Sequence, residues 1–114
     1  MFEAQEKLER IVMELSLERM DHNGSTFAAQ YESAQVLSRK FTGVGFFTEY
    51  SVPDELSIGD VSYNYCCEVD GRFPDSDIIF LFVILVRNGK IDSLEGFTSH
   101  GDWRYDYDNI MLHK

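Results

Sequence analysis

Two histidines and three aspartates crowd the C-terminal stretch of this chain: His100, Asp102, Asp106, Asp108 and His113. Imidazole and carboxylate are competent ligands for zinc or calcium, but the spacing matches neither a zinc-binding helix nor an EF-hand loop. The stretch reads as a solvated acidic turn, with no metal site. The third histidine, His22, falls in a turn, and no histidine accompanies a serine or cysteine in a nucleophile motif. Cys66 and Cys67 are sequence neighbours, so a bridge between them would be strained, and flanking Tyr65 and Glu68 offer no cation to activate a thiol. Both are predicted to be small buried apolar residues on opposite faces of a strand. Thr42-Gly43-Val44-Gly45-Phe46 contains a Gly-x-Gly, yet phosphate-cradling versions open a helix and here a strand follows. Its glycines are expected at the strained angles of a tight turn or bulge. No catalytic residue and no cofactor is predicted. The chain reads as a binding protein, not an enzyme.

Charge says more than any motif. Ten Lys and Arg face 20 Asp and Glu, a net of −10, which sets the chain against nucleic acid and anionic membrane as direct partners. The excess is uneven. Residues 49–77 hold Glu49, Asp54, Glu55, Asp60, Glu68, Asp70, Asp75 and Asp77 against Arg72 alone, a local net of −7. Such a run is either a solvated face or a surface that steers a basic partner. Trp103 with Tyr105 and Tyr107 forms either an exposed anchor cluster or a satellite core.

The elements that must position these residues follow from hydrophobic period. One domain, residues 1–114, is expected, since 114 residues with 44% hydrophobic content suffice for a single core. Leu8, Ile11, Val12 and Leu15 make one apolar stripe on a helix over residues 2–20, with Glu3, Glu6, Glu9, Glu14 and Glu18 facing away. Ser25 or Thr26 is the expected cap of a short second helix. Alternation then predicts strands over 34–41, 46–52 and 61–69. Ile78 to Val86 is apolar without alternation, the mark of a central strand covered on both faces. Asn88-Gly89 predicts a type I′ hairpin into a last strand ending at Thr98. The sum is an α+β fold, an N-terminal helix packed on an antiparallel sheet of about five strands. The charged N-terminus and the short apolar runs predict a soluble cytoplasmic protein.

Two segments carry a resemblance, Ser38-Arg39-Lys40-Phe41-Thr42-Gly43-Val44-Gly45-Phe46-Phe47-Thr48 and Asn88 to Thr98 with its Leu94-Glu95-Gly96-Phe97-Thr98 ending. Over residues 27–103 the chain resembles small bacterial proteins that include immunity partners of contact-dependent growth inhibition and related polymorphic toxin systems. The resemblance implies a protein that binds and neutralises a cognate toxin domain with a basic surface, such as a nuclease. Glu49, Asp54, Glu55, Asp60, Asp70, Asp75 and Asp77 are then the expected contacts, with Trp103 and Tyr105 as anchors. Two other readings stay open. One is a small-ligand-binding or minor enzymatic protein with a pocket between helix and sheet, lined by Tyr63 and Tyr65. The other is a homodimer pairing through an open strand edge.

Overall fold

A computed structural model describes residues 2–21, 26–98 and 103–114. Helix α1 (Glu3–Met20) and helix α2 (Thr26–Ser33) are followed by strands β1 (Gln35–Phe41), β2 (Gly45–Ser51), β3 (Tyr63–Cys66), β4 (Asp70–Arg72), β5 (Ile79–Arg87), β6 (Lys90–Thr98) and β7 (Met111–His113). All pair antiparallel in one sheet of order β1-β2-β6-β5-β4-β7, with β3 on β5 beside β4. The α+β class and the helix on an antiparallel sheet are as expected, but the strands number seven. Of the predicted strand over 61–69 only Tyr63–Cys66 forms, as β3; β4 follows beyond that range on the same edge of β5, and the tail supplies β7. Between β3 and β4 the chain turns Val69 into the core at 1% exposure, which breaks the ladder.

The hairpin geometry is as read. Asn88 and Gly89 both have positive φ, 52° and 72°, as a type I′ turn requires. Of the two glycines in the other turn, Gly43 has φ +86°, but Gly45 is needed for a different reason: a Cβ there would run into the Gly96 carbonyl on β6.

The ladders sort every side chain onto one of two faces. Rows such as Arg39–Thr48–Leu94–Ile84–Tyr65 and Phe41–Phe46–Gly96–Phe82 line the inner face, under both helices. Rows such as Lys40–Phe47–Glu95–Val83–Cys66 line the outer face. The core sits on the inner face, where Phe46, Phe80, Phe82, Ile84, Val86, Ile91 and Leu94 meet Leu8, Val12, Met13 and Leu17 of α1. The helix stripe is rotated from the predicted one: Gln5, Glu9, Met13 and Ser16 turn inward, and Ile11 is left 38% exposed. Asp21 caps α2, its carboxylate accepting from Phe27 N at 2.9 Å and Ala28 N at 3.1 Å; of the two expected caps, Thr26 is the first residue of the helix and Ser25 lies outside the described residues.

The cysteine expectation needs correction as well. Cys66 is exposed on the outer face, and only Cys67 is half-buried, where burial pushes its thiol up to about 11.

Candidate functional site

The acidic run of residues 49–77 does not form one surface. Asp54, Glu55 and Asp60 belong to the loop beside the β5–β6 turn, held there by Ile58 N donating to Gly89 O and Gly89 N to Val61 O, at 3.1 and 2.7 Å. Asp75 and Asp77 precede the other end of β5, and Asp70 pairs with β7 there. A nine-residue strand separates the two groups by roughly 26 Å at about 3.3 Å per residue. Glu49 lies on the outer face between them.

Most of these carboxylates are already engaged. Glu49 takes Lys40 at 2.9 Å and the Ser38 hydroxyl at 2.7 Å, Asp70 takes Arg72 at 3.1 Å, and Asp75 takes Arg104 at 2.6 Å. Asp54 pairs with Lys90. The partner hydrogen bonds hold Glu49, Asp54 and Asp75 below the usual carboxylate range, so they stay ionised. Glu55, Asp60 and Asp77 are exposed, with no ion pair among the described residues.

Trp103 is not an exposed anchor. At 5% exposure it stacks on Phe80 at 4.4 Å between ring centroids, meets Phe46 edge-on, and donates its indole N–H to the Tyr107 hydroxyl at 2.8 Å. It closes the inner face where the helices do not reach. Tyr105, 55% exposed, stays available and rests edge-on against Phe41. His100 and Asp102 lie outside the described residues. Among those described, no three His, Cys, Asp or Glu side chains are placed to hold a metal.

A better-formed acidic site lies between the helices. A groove of about 740 Å3 is lined by Arg10, Glu14, Leu17, Glu18 and Asp21 of α1 and its end, and by Ala28, Ala29, Tyr31 and Glu32 of α2. Leu17 and the alanines make an apolar floor. Glu14, Glu18 and Glu32 have no ion pair among the described residues, and Arg10 lies over the Tyr31 ring at 5.9 Å. The groove adjoins the Asp54–Asp60 loop, because α2 is pinned to it through Gln30. That side chain is fully buried, donating to Leu56 O at 2.9 Å and Gly89 O at 2.8 Å while accepting from Ile91 N at 2.8 Å. Glu14, Glu18, Glu32, Glu55 and Asp60 therefore share one end of the molecule. The signal was in the spacing: positions 10, 14, 18 and 21 form a second stripe on α1, polar where the first is apolar.

Under the helix lies a different carboxylate. Glu9 is 1% exposed and accepts from Arg39 Nε at 3.1 Å and Nη2 at 2.8 Å, from Thr48 Oγ1 at 2.7 Å and from Gln5 Nε2 at 3.0 Å. Oε2 takes three of these bonds and Oε1 one, and Phe2 lies over the guanidinium at 5.2 Å. The cluster fixes α1 against β1 and β2. It leaves no group free for chemistry.

A third feature, an open cleft of about 550 Å3, lies between the end of α1 and β3, lined by Arg19, Met20, Tyr63, Tyr65 and Glu68, with Arg19 paired to Glu68 across it. No helix among the described residues is long and apolar enough to cross a membrane. No family model, curated protein or solved structure matches this chain.

Proposed function

We propose that this protein acts by binding, as an immunity protein that occludes a cognate toxin domain through that domain's basic surface in the cytoplasm. The observation that carries the reading is the α1–α2 groove, where an apolar floor is rimmed by Glu14, Glu18 and Glu32, none of them in an ion pair among the described residues, with Arg10 the one cation in the lining. A nuclease presents lysines and arginines to phosphate, and a groove of this kind accepts such side chains with their stems on the floor and their charges at the rim. Unpaired carboxylates steer encounter more strongly than paired ones, so the helix end and the Asp54–Asp60 loop outweigh Asp70 and Asp75 as contacts. Fast association suits an inhibitor that must capture a toxin before it acts.

The test is co-expression with the variable C-terminal domain of a large secreted protein encoded immediately upstream, the gene arrangement that this reading predicts. The wild type is expected to restore growth. A Glu14→Lys, Glu18→Lys, Glu32→Lys triple variant is expected to associate roughly ten-fold or more slowly at low salt. Asp54→Asn, Glu55→Gln, Asp60→Asn should slow association less, and Asp70→Asn, Asp75→Asn least. Unchanged association in the first triple variant moves the site elsewhere, and absence of any protection by the wild type removes the immunity reading.

One observation favours a second reading, a small-ligand-binding protein. The Tyr63–Tyr65 cleft between helix and sheet combines two phenols, a guanidinium and a carboxylate, a set able to orient a small polar ligand. A metabolite that raises the melting temperature of the wild type, but not of a Tyr65→Ala variant, would establish it.

A further inference from the structure

We infer that the outer face of the sheet is an interface between two copies of this chain, packed sheet on sheet. The first observation is the face itself. Ile79, Leu81, Val83 and Leu85 of β5 alternate with the core residues and point away from it, joined by Phe97 of β6 and Phe47 of β2 through the cross-strand rows Gly45–Phe97–Leu81 and Phe47–Glu95–Val83. Both helices, and Trp103 and Tyr107 of the tail, lie on the opposite side. These six apolar side chains are half-buried, with neither helix on their side of the sheet. A strand apolar on both faces belongs in a sheet covered on both faces.

Charge selects the occupant. The outer-face ladder positions carry Lys40, Arg72, Arg87 and Lys90 against Glu49, Asp70 and Glu95; with Lys90 neutralised by Asp54 of the adjoining loop, the face is neutral on a chain of net −10. Two of those acids are internally paired, Lys40 with Glu49 and Arg72 with Asp70. The charges left without an ion pair, Glu95 and Arg87, are of opposite sign, as a contact between like surfaces needs. A strongly basic partner has nothing to gain here, while a second acidic chain meets no net repulsion. Area agrees: β2, β5, β6 and the β3–β4 edge, about 4.8 Å apart and seven to nine residues long, give roughly 500 Å2 per copy. Two copies then bury on the order of 1,000 Å2, the lower bound for a specific interface. The free edge of β1 serves this purpose less well. It is broken by a bulge at Leu37, and its Arg39 and Lys40 are held by Glu9 and Glu49. Neither argument depends on the toxin-binding reading, since the α1–α2 groove stays on the far side.

Light scattering on the eluting full chain tests it. The wild type is expected at twice 13.2 kDa at high micromolar concentration, falling toward 13.2 kDa on dilution. Val83→Lys and Leu81→Lys are expected to stay at the lower mass with unchanged circular dichroism, and Leu37→Lys to remain dimeric. A wild type monomeric up to millimolar concentration overturns the proposal. So does a dimer that survives Val83→Lys or is dissociated by Leu37→Lys. A readout without outer-face substitution uses Cys66, on the outer face beside Val83: in a Cys67→Ser chain its maleimide labelling should slow as protein concentration rises. A concentration-independent rate also overturns the proposal.

Discussion

Arg39 and Lys40 are adjacent on β1, as Phe82 and Val83 are on β5, yet each pair is divided between the two faces of the sheet. Inward, Arg39 meets a carboxylate that is itself 1% exposed and Phe82 is 2% exposed. Outward, Lys40 meets Glu49 in open solvent and Val83 is covered only by sheet neighbours. Composition barely distinguishes the faces. What distinguishes them is that helices, Trp103 and Tyr107 cover one and leave the other bare. The same residue type therefore carries a different energetic weight one position along the chain.

The widest gap is expected from apolar truncation. Phe82→Ala should cost about 3–5 kcal/mol, because the ring is buried in a packed core and leaves a cavity. Val83→Ala, removing two half-buried methyl groups, should cost about 1 kcal/mol or less in the monomer. Urea unfolding at low protein concentration checks both, since dimerisation would add a concentration-dependent term. Equal losses would mean that the outer face is packed as tightly as the inner.

Charge sharpens the contrast. Arg39→Met leaves Glu9 buried with its ionic partner gone, and a loss of about 3–5 kcal/mol is expected. Lys40→Met removes an exposed pair on the next residue and should leave the urea midpoint within experimental scatter, because solvent screens such pairs. Added salt should not rescue Arg39→Met.

Much of this architecture was legible because it follows local period. The β5–β6 hairpin needed only an apolar run and Asn-Gly, and the helices and first two strands were found within a few residues. What escaped depends on partners distant in the chain. Glu9 carries the same charge as Glu6 or Glu14, and only Arg39 and Thr48, 30 and 39 residues away, make an inward carboxylate favourable. The run of residues 49–77 looked like one surface because charge was counted along the chain, whereas β5 carries its two halves to opposite ends. The acidic groove exists only once α2 folds back on α1 through the Asp21 cap, a contact no local pattern announces. Trp103 reads equally as anchor or core until the uncovered stretch of the inner face is known.

Gln30 is an intermediate case, polar yet placed where only the fold gives it partners. Gln30→Ala leaves the Leu56 carbonyl and the Ile91 N–H without the bonds it made and takes one of two from the Gly89 carbonyl, which keeps Ile58 N, and a loss of about 2–3 kcal/mol is expected. Faster hydrogen exchange should be confined to Ile91 and the loop over Asp54–Asp60. Uniformly faster exchange would instead report a general loss of stability.

The smallest effect concerns a hydroxyl on the covered face. The Tyr50 phenol is buried with no hydrogen bond of good geometry among the described residues, its neighbour Tyr31 lying edge-on at 5.8 Å. Burial first, then the negative charge of Glu9, raises its pKa well above the usual value of 10.0. Burial likewise raises Tyr31, and Tyr107 to about 12. Because folded values exceed unfolded ones, the unfolded chain loses phenolic protons first as pH rises. Stability from these groups is complete below about pH 10 and is lost above it. Tyr50→Phe removes an unsatisfied polar atom without breaking a bond, so neutral-pH stability is expected to hold or rise by about 1 kcal/mol. Its alkaline decline should be shallower than the wild type's between about pH 9 and pH 11. A destabilised Tyr50→Phe chain would mean that the hydroxyl is bonded in solution, and an unchanged alkaline slope would assign the decline to the other buried groups with raised values, Tyr31, Tyr107 and Cys67. The first result would locate where the inner face admits water, the property that separates it from the outer one.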